Sequence, residues 1–356
     1  MESVPKPAQV ILILCCSTTG ACTSLGYYAQ SISGHVEILL KQKSSSDLIA
    51  DNNIAPSLRD KLIAITDILD FAHQQLNLPD NGSYRNYADL SRPYVVWNVF
   101  AAPELSMQAK QWCYLIVGCL NYRGYFSQPE AADYAHTLEQ SGWEVYTGGV
   151  TAYSTLGWFR DPVISTMLNR ETWELARLIF HELAHQYIYI ENDTDFNEAF
   201  ADAVALIGLE RWLRTQPLAI KQDIETMLAR EDQFIKLVLG ARDELIMVYD
   251  SALPEQDKRR EKSRIIAGLE QDYRDLKAGW ENFSYYDNWI DSGINNAKLS
   301  ALSTYRSLVP YFHLIYKNAG SDLGLFYASI EVLADCEKEQ RILKLRQSGP
   351  ILACPP

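Results

Sequence analysis

Two histidines and one glutamate stand at a spacing that suits metal chemistry, in the stretch His181-Glu182-Leu-Ala-His185. On an α-helix, residues four apart lie on one face, separated by a rise of about 6 Å, so both imidazoles can bind one metal ion. Glu182 follows the first histidine and can lean over the open coordination position, where its carboxylate can accept a proton from water. The spacing therefore predicts a helix that carries a metal ion and a general base for hydrolysis.

A catalytic zinc site needs a third protein ligand. A histidine ligand preceded by a glycine, as in the metzincin spacing, is excluded because Ile188 and Glu191 occupy those positions. The acidic candidates are Glu191, Asp193, Asp195, Glu198 and Asp202. We choose Glu198, because the first helix must end and the chain must turn before a second helix can return a carboxylate to the metal. Asp202 lies four residues further on the same helix face, where it can accept the second N–H of a bound imidazole, that of His181.

These residues resemble the gluzincin peptidases, in which His-Glu-x-x-His is followed by Asn-Glu-x-x-x-Asp on the next helix. Asn197-Glu198-Ala-Phe-Ala-Asp202 matches the second half of that pattern. Most of the chain is also similar to a bacterial family described as putative aminopeptidases. The segments that carry this similarity, besides the metal motif, are residues 26–34, 151–157 with 161–162, and 295–299 with 309–310. The resemblance implies one Zn²⁺ per chain, held by His181, His185 and Glu198, and a peptide as substrate.

The resemblance also implies two further parts of a peptidase cleft. Gluzincins supply a tyrosine or a histidine from outside the metal motif to stabilise the oxyanion of the tetrahedral intermediate, and the candidates here are Tyr305, His313 and Tyr153, in that order. In such folds the edge strand of a small sheet can pair with an extended peptide. Residues 148–155 are expected to line the cleft in this way, with an ordinary strand and turn as the alternative.

The metal-motif residues have plainer interpretations that the sequence leaves open. Asp195 to Glu198 fits a capping box, in which Glu198 only bonds the start of its helix. His181 and His185 could be core histidines or ligands of a structural metal ion. A structural site, however, has no need of Glu182 beside the metal, so the motif favours a catalytic site.

Composition and charge narrow the class of partner. The chain has 356 residues, of which 47% are hydrophobic and 22% charged, as in an ordinary folded protein. Its formal net charge of −13 argues against a nucleic acid or an anionic membrane surface as partner, because both would repel it at long range.

The N terminus resembles a bacterial lipoprotein signal. A short apolar run, Val10-Ile-Leu-Ile-Leu14, follows Lys6 and leads through small residues to Cys22. The run is far shorter than the roughly 20 residues that span a bilayer. We therefore expect cleavage before Cys22 and lipidation of that cysteine, which would anchor the protein in the bacterial cell envelope facing the periplasm. Thr23, in place of an aspartate, favours the outer membrane.

Four of the seven cysteines remain after the signal and the lipidated residue are set aside: Cys113, Cys119, Cys336 and Cys354. An oxidising compartment could pair them. If residues 113–119 form one extended strand, Cys113 and Cys119 lie about 20 Å apart and cannot bridge each other. Pairing with Cys336 and Cys354 would remain possible, as would four buried free thiols.

The periodicity of apolar residues predicts an α+β fold that is mostly helical. We expect a zincin-like peptidase, with a small mixed β-sheet packed on the active-site helix and a large C-terminal helical part. Helices are predicted over 27–43, 57–76, 130–140, 218–249, 256–280, 295–316 and 321–337. The metal helix is expected from Glu171 to about residue 190, and the helix that carries Glu198 is expected to end at about residue 214. Strands are predicted over 94–100, 112–117 and 143–146. The apolar positions of the first helix are Tyr28, Ile32, Val36, Leu39 and Leu40.

This pattern divides the chain into a signal peptide (1–21), an N-terminal helical segment (22–90), a β-rich subdomain (91–160), a helical catalytic part (161–340) and a tail (341–356). Residues 256–280, dense in charges of both signs, are expected to project into water as part of a helical hairpin.

The function predicted from these residues is hydrolysis of peptide bonds, with aminopeptidase action implied by the resemblance. Endopeptidase action stays open because the chain has no Gly-x-Met-Glu-Asn motif. Two alternatives remain. One is a catalytically silent, zinc-stabilised envelope scaffold or assembly factor that binds a partner through its helical hairpin, and the other is a hydrolase of cell-wall amides.

Overall fold

The structure is a computed structural model that describes residues 18–114, 118–152, 154–155, 159–281 and 283–347. For residues 18–25, 304 and 305 it describes the backbone alone. The described chain is mostly helical with small sheets, as the sequence predicts. Its helices are α1 Thr18–Leu40, α2 Ser45–Ala50, α3 Pro56–Gln75, α4 Gln128–Gln140, α5 Thr172–Tyr187, α6 Thr194–Leu213, α7 Leu218–Asp250, α8 Glu255–Ala278, α9 Asp287–Asp291, α10 Asn296–Arg306, α11 Val309–Asn318, α12 Leu323–Ala334 and α13 Lys338–Gln347.

The strands form three small sheets in the described residues, where the sequence suggests one mixed sheet. They are β1 Gln42–Ser44, β2 Asn86–Ala88, β3 Val96–Pro103, β4 Trp112–Tyr114, β5 Gly118–Leu120, β6 Arg123–Tyr125, β7 Trp143–Val150 and β8 Val163–Ile164. One sheet is mixed, in the order β1-β2-β8, one is antiparallel, in the order β6-β3-β7, and β4 and β5 form a separate hairpin.

The antiparallel sheet is built around β3. This strand is buried along nearly its whole length, because α4 and α10 pack against it while β6 and β7 flank it. Helix α10 contacts α6 as well as β3 and β7, so it lies between the sheet and the second metal-motif helix. The antiparallel sheet thus packs mainly on α4 and α10. The expectation that it packs mainly on the metal helix α5 was wrong.

Helices α5 and α6 lie at the centre of the main hydrophobic core. The apolar face of α5 buries Leu175, Ile179 and Phe180, and α6 is buried on almost every side. Gly208 allows this close packing, since a Cβ there would lie 2.7 Å from both Leu76 Cδ1 and Phe180 Cδ2. The metal motif is therefore carried by two helices of the main hydrophobic core.

The hairpin of α7 and α8 is attached to the sheet through one face of α8, and the charged residues of α8 other than Lys262 are exposed or partly exposed to water. Lys262 of α8 is buried, pairs with Glu144 of β7, and donates to the Glu104 carbonyl at 2.9 Å. Arg259, one turn earlier, pairs with the Glu104 carboxylate at 2.9 Å. Buried ion pairs of this kind fix the position of a charged helix against its neighbours.

A disulfide joins Cys113 and Cys119, which corrects the expectation that these residues are too far apart. The chain reverses between β4 and β5, where Gly118 adopts a positive φ of 73°, so the two cysteines stand opposite each other with their Cα atoms 3.8 Å apart. The assumption of one extended strand over 113–119 was therefore wrong. Cys354 lies outside the described residues.

The expected signal peptide and tail boundaries are only partly described. Residues 1–17 and 348–356 lie outside the described residues, and residues 18–21 already belong to α1. Residues 341–347 of the predicted tail belong to α13, in which Arg341 is buried and pairs with Asp193. Within the described part of the chain, no helix has both the length and the apolar composition needed to cross a bilayer.

Candidate metal centre

Helix α5 presents the two histidines of the motif from one face. It starts with a capping box, in which the Glu171 side chain accepts from the Glu174 backbone N–H and the Glu174 side chain accepts from the Glu171 N–H. The helix continues to Tyr187, so His181 and His185 lie one turn apart well inside it. Their rings meet edge to face, with centroids 4.7 Å apart.

Helix α6 brings Glu198 to the same point. His181 Nε2 and His185 Nε2 are 3.1 Å apart, and Glu198 Oε2 lies 3.3 Å from the first and 3.5 Å from the second. Ligand atoms about 2.0–2.1 Å from a tetrahedral zinc ion lie about 3.3–3.4 Å from each other. The three atoms therefore have the mutual spacing that one small metal ion requires, and these residues could hold such an ion.

The turn between α5 and α6 is held by the asparagine of the second motif. The Asn197 amide donates to the Ile190 carbonyl at 2.7 Å and accepts from the Ile190 N–H at 2.9 Å. Asn192 supplies the positive φ of 64° that reverses the chain, and buried Asp193 pairs with Arg341 of α13. This explains why an asparagine directly precedes the third candidate ligand: it fixes where α6 starts relative to the end of α5.

Asp202 lies behind the first histidine, where the sequence places it. Its Oδ1 atom is 3.5 Å from His181 Nδ1, the ring nitrogen that points away from the three clustered ligand atoms. A carboxylate in this position favours the tautomer that leaves Nε2 free to bind a metal ion.

Two arginines and a second carboxylate enclose Asp202, and the sequence analysis missed all three. Arg306 Nε is 3.1 Å from Asp202 Oδ2, and Arg177 Nη2 is 3.7 Å from Oδ1. Both guanidinium groups also pair with Glu231, Arg177 at 2.6 Å. Arg177 precedes His181 by four residues, a spacing that could have flagged it, but Arg306 and Glu231 come from α10 and α7, for which no local signal exists.

The electrostatics of the group follow from burial and from these close pairs. Burial opposes ionisation of Glu198, but the neighbouring His185 and His181 outweigh it and lower its pKa to about 2. Burial likewise opposes a charge on His181, yet hydrogen bonds to Asp202 and Glu198 raise its pKa to about 10. A divalent cation would displace the proton of His181, and the group would then offer anionic oxygen beside two neutral imidazoles, a ligand set suited to such an ion.

Glu182 stands beside this group without belonging to it. Burial raises its pKa above the ordinary value, although the neighbouring histidines and Arg170 oppose that rise. A carboxylate with a raised pKa next to a metal position is placed to accept and return a proton.

The group opens into a large cavity of about 1280 Å³. Gly149, Val150, Thr151, Ala152, Ser154 and Thr155 line one wall, as expected for residues 148–155. Strand β7 is an edge of its sheet, so it has backbone groups that no neighbouring strand bonds. The remaining walls are rich in aromatic side chains, among them Tyr28, Phe126, Phe159, Trp173, Phe283 and Tyr285.

Of the three predicted oxyanion-stabilising residues, His313 is the one whose side chain the structure describes. Burial lowers the pKa of His313 of α11, and the nearby charges that act on this pKa are those of Glu210 and Lys317. Glu210 lies twelve residues beyond Glu198 on α6, which is about 18 Å of helix rise. His313 is thus not brought to the metal group. Tyr153 lies outside the described residues, as does the side chain of Tyr305, whose backbone is in α10.

Two further tyrosines, Tyr122 and Tyr189, line the cavity near Glu198. The charge of Glu198 raises the pKa of both, after burial as the main cause, that of Tyr189 to about 12. Their hydroxyl groups therefore stay protonated beside the metal group and can donate hydrogen bonds there. Tyr189 directly follows the metal helix, which is a position that the sequence could have flagged.

The fold and the site define a mostly helical α+β protein with a His-His-Glu group that could hold a metal ion at the wall of a large cavity. The chain belongs to the family described as Aminopep, putative aminopeptidase, whose model matches residues 26–345. This membership supports a peptidase as the class of activity. No curated protein and no solved structure matches the chain.

Proposed function

We propose that this protein is a zinc-dependent peptidase, acting as an aminopeptidase in keeping with its family. The observation that carries the proposal is the convergence of His181 Nε2, His185 Nε2 and Glu198 Oε2 within 3.5 Å of one another, with Glu182 buried next to them. All four side chains line one cavity large enough for a peptide.

His181, His185 and Glu198 would hold the Zn²⁺ ion. The bound ion would supply Lewis-acid polarisation of the scissile carbonyl and would lower the pKa of water. Glu182 accepts the proton of the attacking water and then returns it to the nitrogen of the leaving amine. Tyr122 and Tyr189 can donate hydrogen bonds to the oxygen on which negative charge develops.

The free edge of β7 is proposed to align the substrate. The Val150 carbonyl accepts from the Val95 N–H at 2.9 Å, so the backbone groups of Val150 face the sheet. Alternate residues of a strand direct these groups to opposite sides, which leaves those of Thr147 and Gly149 on the outer edge. An extended peptide could pair with that edge while its side chains enter the aromatic walls of the cavity.

We also propose that the protein works in the bacterial cell envelope, anchored by a lipid on Cys22 and facing the periplasm, with the outer membrane favoured. The Cys113–Cys119 disulfide supports an oxidising compartment, since such bonds persist there and are rare in the cytosol.

Replacement of the proposed base tests the mechanism. Glu182→Gln should lower peptide hydrolysis by at least about 100-fold, because general-base catalysis contributes roughly that much or more, while zinc stays bound. The matched control is Glu191→Gln, the same change at an exposed carboxylate in the α5–α6 turn, which should keep full activity. Equal hydrolysis by wild type and Glu182→Gln would exclude the mechanism.

Free and N-acetylated versions of the same peptides separate exopeptidase from endopeptidase action. An aminopeptidase should cleave only the free form. Cleavage of both forms at similar rates would retain the zinc chemistry but replace aminopeptidase by endopeptidase activity.

A further inference from the structure

The apolar positions of α1 face away from the core. Tyr28, Ile32, Val36, Leu39 and Leu40 are exposed by 39%, 64%, 42%, 38% and 81%, although their helical spacing is that of a core-facing stripe. At 100° per residue they fall within an arc of about 120°, so they form one continuous surface. We call these five residues the α1 face.

The opposite side of the helix makes the contacts with the rest of the protein. Ile38 is buried, and Gly34 lies so close to the Phe126 ring that a Cβ would be 2.1 Å from it. Phe159 is exposed by 53% and lies beside this face, because its ring packs on the ring of His35 of α1, with the two ring centroids 4.9 Å apart. The helix is thus firmly seated on the fold, and its apolar stripe is what remains outside.

No charged residue interrupts the α1 face. The exposed residues of α1 between 26 and 40 are Gly26, Tyr28, Ala29, Ile32, Ser33, Val36, Leu39 and Leu40. Glu37, the acidic residue of this stretch, is partly buried and pairs with Lys41 and Arg92, both at 2.8 Å. In a chain of net charge −13, four turns of exposed helix without charge are unusual, and apolar patches of this kind mark interaction surfaces.

The position of Cys22 indicates what covers this face. Helix α1 is continuous from Thr18 to Leu40, so the predicted lipid-attachment position lies six residues, about 9 Å of rise, before Tyr28. The helical register also places position 22 within the same arc as the α1 face. A lipid attached there would leave no linker between the bilayer and the folded body, and it would bring this side of α1 to the lipid surface.

We propose that the α1 face lies on a lipid bilayer, with the helix parallel to the membrane plane and its apolar side chains in the interfacial region. The uncharged face suits zwitterionic lipid, because it offers no cation to attract an anionic headgroup. An apolar contact of this kind adds to the membrane binding of a lipid on Cys22. Tyr28 also lines the cavity, so one end of the cavity would open next to the membrane. The proposal does not depend on peptidase activity.

Vesicle flotation tests the proposal with the mature chain, residues 22–356 carrying Cys22→Ser, so that neither a lipid nor the apolar run of residues 10–14 is attached. The probe is vesicles of phosphatidylcholine, and the measured quantity is the lipid concentration that binds half of the protein. In this background, Ile32→Ser/Val36→Ser/Leu40→Ser should require at least about tenfold more lipid, because it removes three apolar groups from the interface. Thermal unfolding at an unchanged midpoint would show that the variant folds.

The matched control is Leu218→Ser/Met247→Ser/Leu253→Ser, at apolar residues of the α7–α8 hairpin exposed by 68%, 66% and 42%. It should bind vesicles as the background does. The proposal is overturned if the background does not bind, or if the α1-face variant binds equally well. It is also overturned if sedimentation shows self-association that the α1-face variant abolishes while vesicle binding is absent, since a second copy would then cover the face.

Discussion

Replacing Asp202 by asparagine should weaken zinc binding without removing a ligand. Asp202 approaches His181 Nδ1 at 3.5 Å and Arg306 Nε at 3.1 Å, and asparagine keeps the shape but loses the charge. Residues that orient a metal-bound histidine typically contribute 10- to 100-fold to metal affinity. We therefore expect the zinc dissociation constant of Asp202→Asn to rise by that factor, about 1.4–2.7 kcal/mol.

Glu231→Gln is the matched control, because Glu231 pairs with the same two arginines, Arg177 and Arg306, whereas the carboxylates that pair with His181 in the described residues are those of Glu198 and Asp202. Each variant removes one of two buried carboxylates from the two guanidinium groups. Loss of one partner of a buried ion pair costs about 3–5 kcal/mol, and we expect the lower end because the other carboxylate remains. Both variants should lose similar stability, but only Asp202→Asn should lose zinc affinity by tenfold or more.

The assay has two parts. Competition with a chromophoric chelator gives the zinc dissociation constant of each variant, and urea unfolding of the metal-free protein gives the free energy of unfolding. Equal loss of zinc affinity in both variants would mean that the whole network matters and that Asp202 has no special role. Unchanged affinity in Asp202→Asn would refute the orienting role outright.

Three further predictions concern pH, the disulfide and helix packing. Burial raises the pKa of Asp161 to about 6, above its ordinary value of 3.8, so its stabilising contribution is complete below about pH 4 and is lost as pH rises through 6. Between pH 4 and 7, the free energy of unfolding of wild type, measured with urea, should therefore fall by about 3 kcal/mol because of this group, and Asp161→Asn should remove that fall. If the free energies of unfolding of wild type and variant change in parallel with pH, the assignment is contradicted. Cys113→Ser/Cys119→Ser should lower the free energy of unfolding by about 2 kcal/mol, from the loop-closure entropy of a short loop; urea unfolding of the variant beside wild type checks this, and an unchanged free energy of unfolding would contradict it. Gly34→Ala should lower the free energy of unfolding by about 1–3 kcal/mol through overpacking against Phe126. Gly268→Ala, with nothing within 4 Å of the added Cβ, should instead stabilise helix α8 by about 0.5–1 kcal/mol. Loss of stability in both variants would mean that packing is not the cause.

The sequence predicted the metal group well because its residues are close in the chain and are placed by helix geometry. The four-residue spacing of His181 and His185 fixes their common face, and Asn197 fixes the start of the helix that carries Glu198. The bounds of α5 and α6 differ from the predicted ones by only a few residues for the same reason. Local periodicity and turn chemistry were sufficient here.

Contacts between distant segments could not be predicted in this way. Glu231 and Arg306 reach Asp202 from helices separated from it by tens of residues, and nothing in their own surroundings indicates that role. The chain reversal between β4 and β5 also escaped prediction, because the apolar pattern of residues 112–117 is that of one continuous strand, whereas antiparallel pairing places Cys113 opposite Cys119. The apolar spacing of α1 predicted the helix but not its exposure, because periodicity identifies a face and not what covers it.

The most direct test of the central claim is the metal content per chain, by elemental analysis, of wild type beside His185→Ala and Glu198→Ala. The account predicts one zinc ion per wild-type chain, lost or much weakened in both variants while each remains folded. A folded wild-type protein that binds no metal, or variants that retain it fully, would contradict the metal centre on which the proposed function rests.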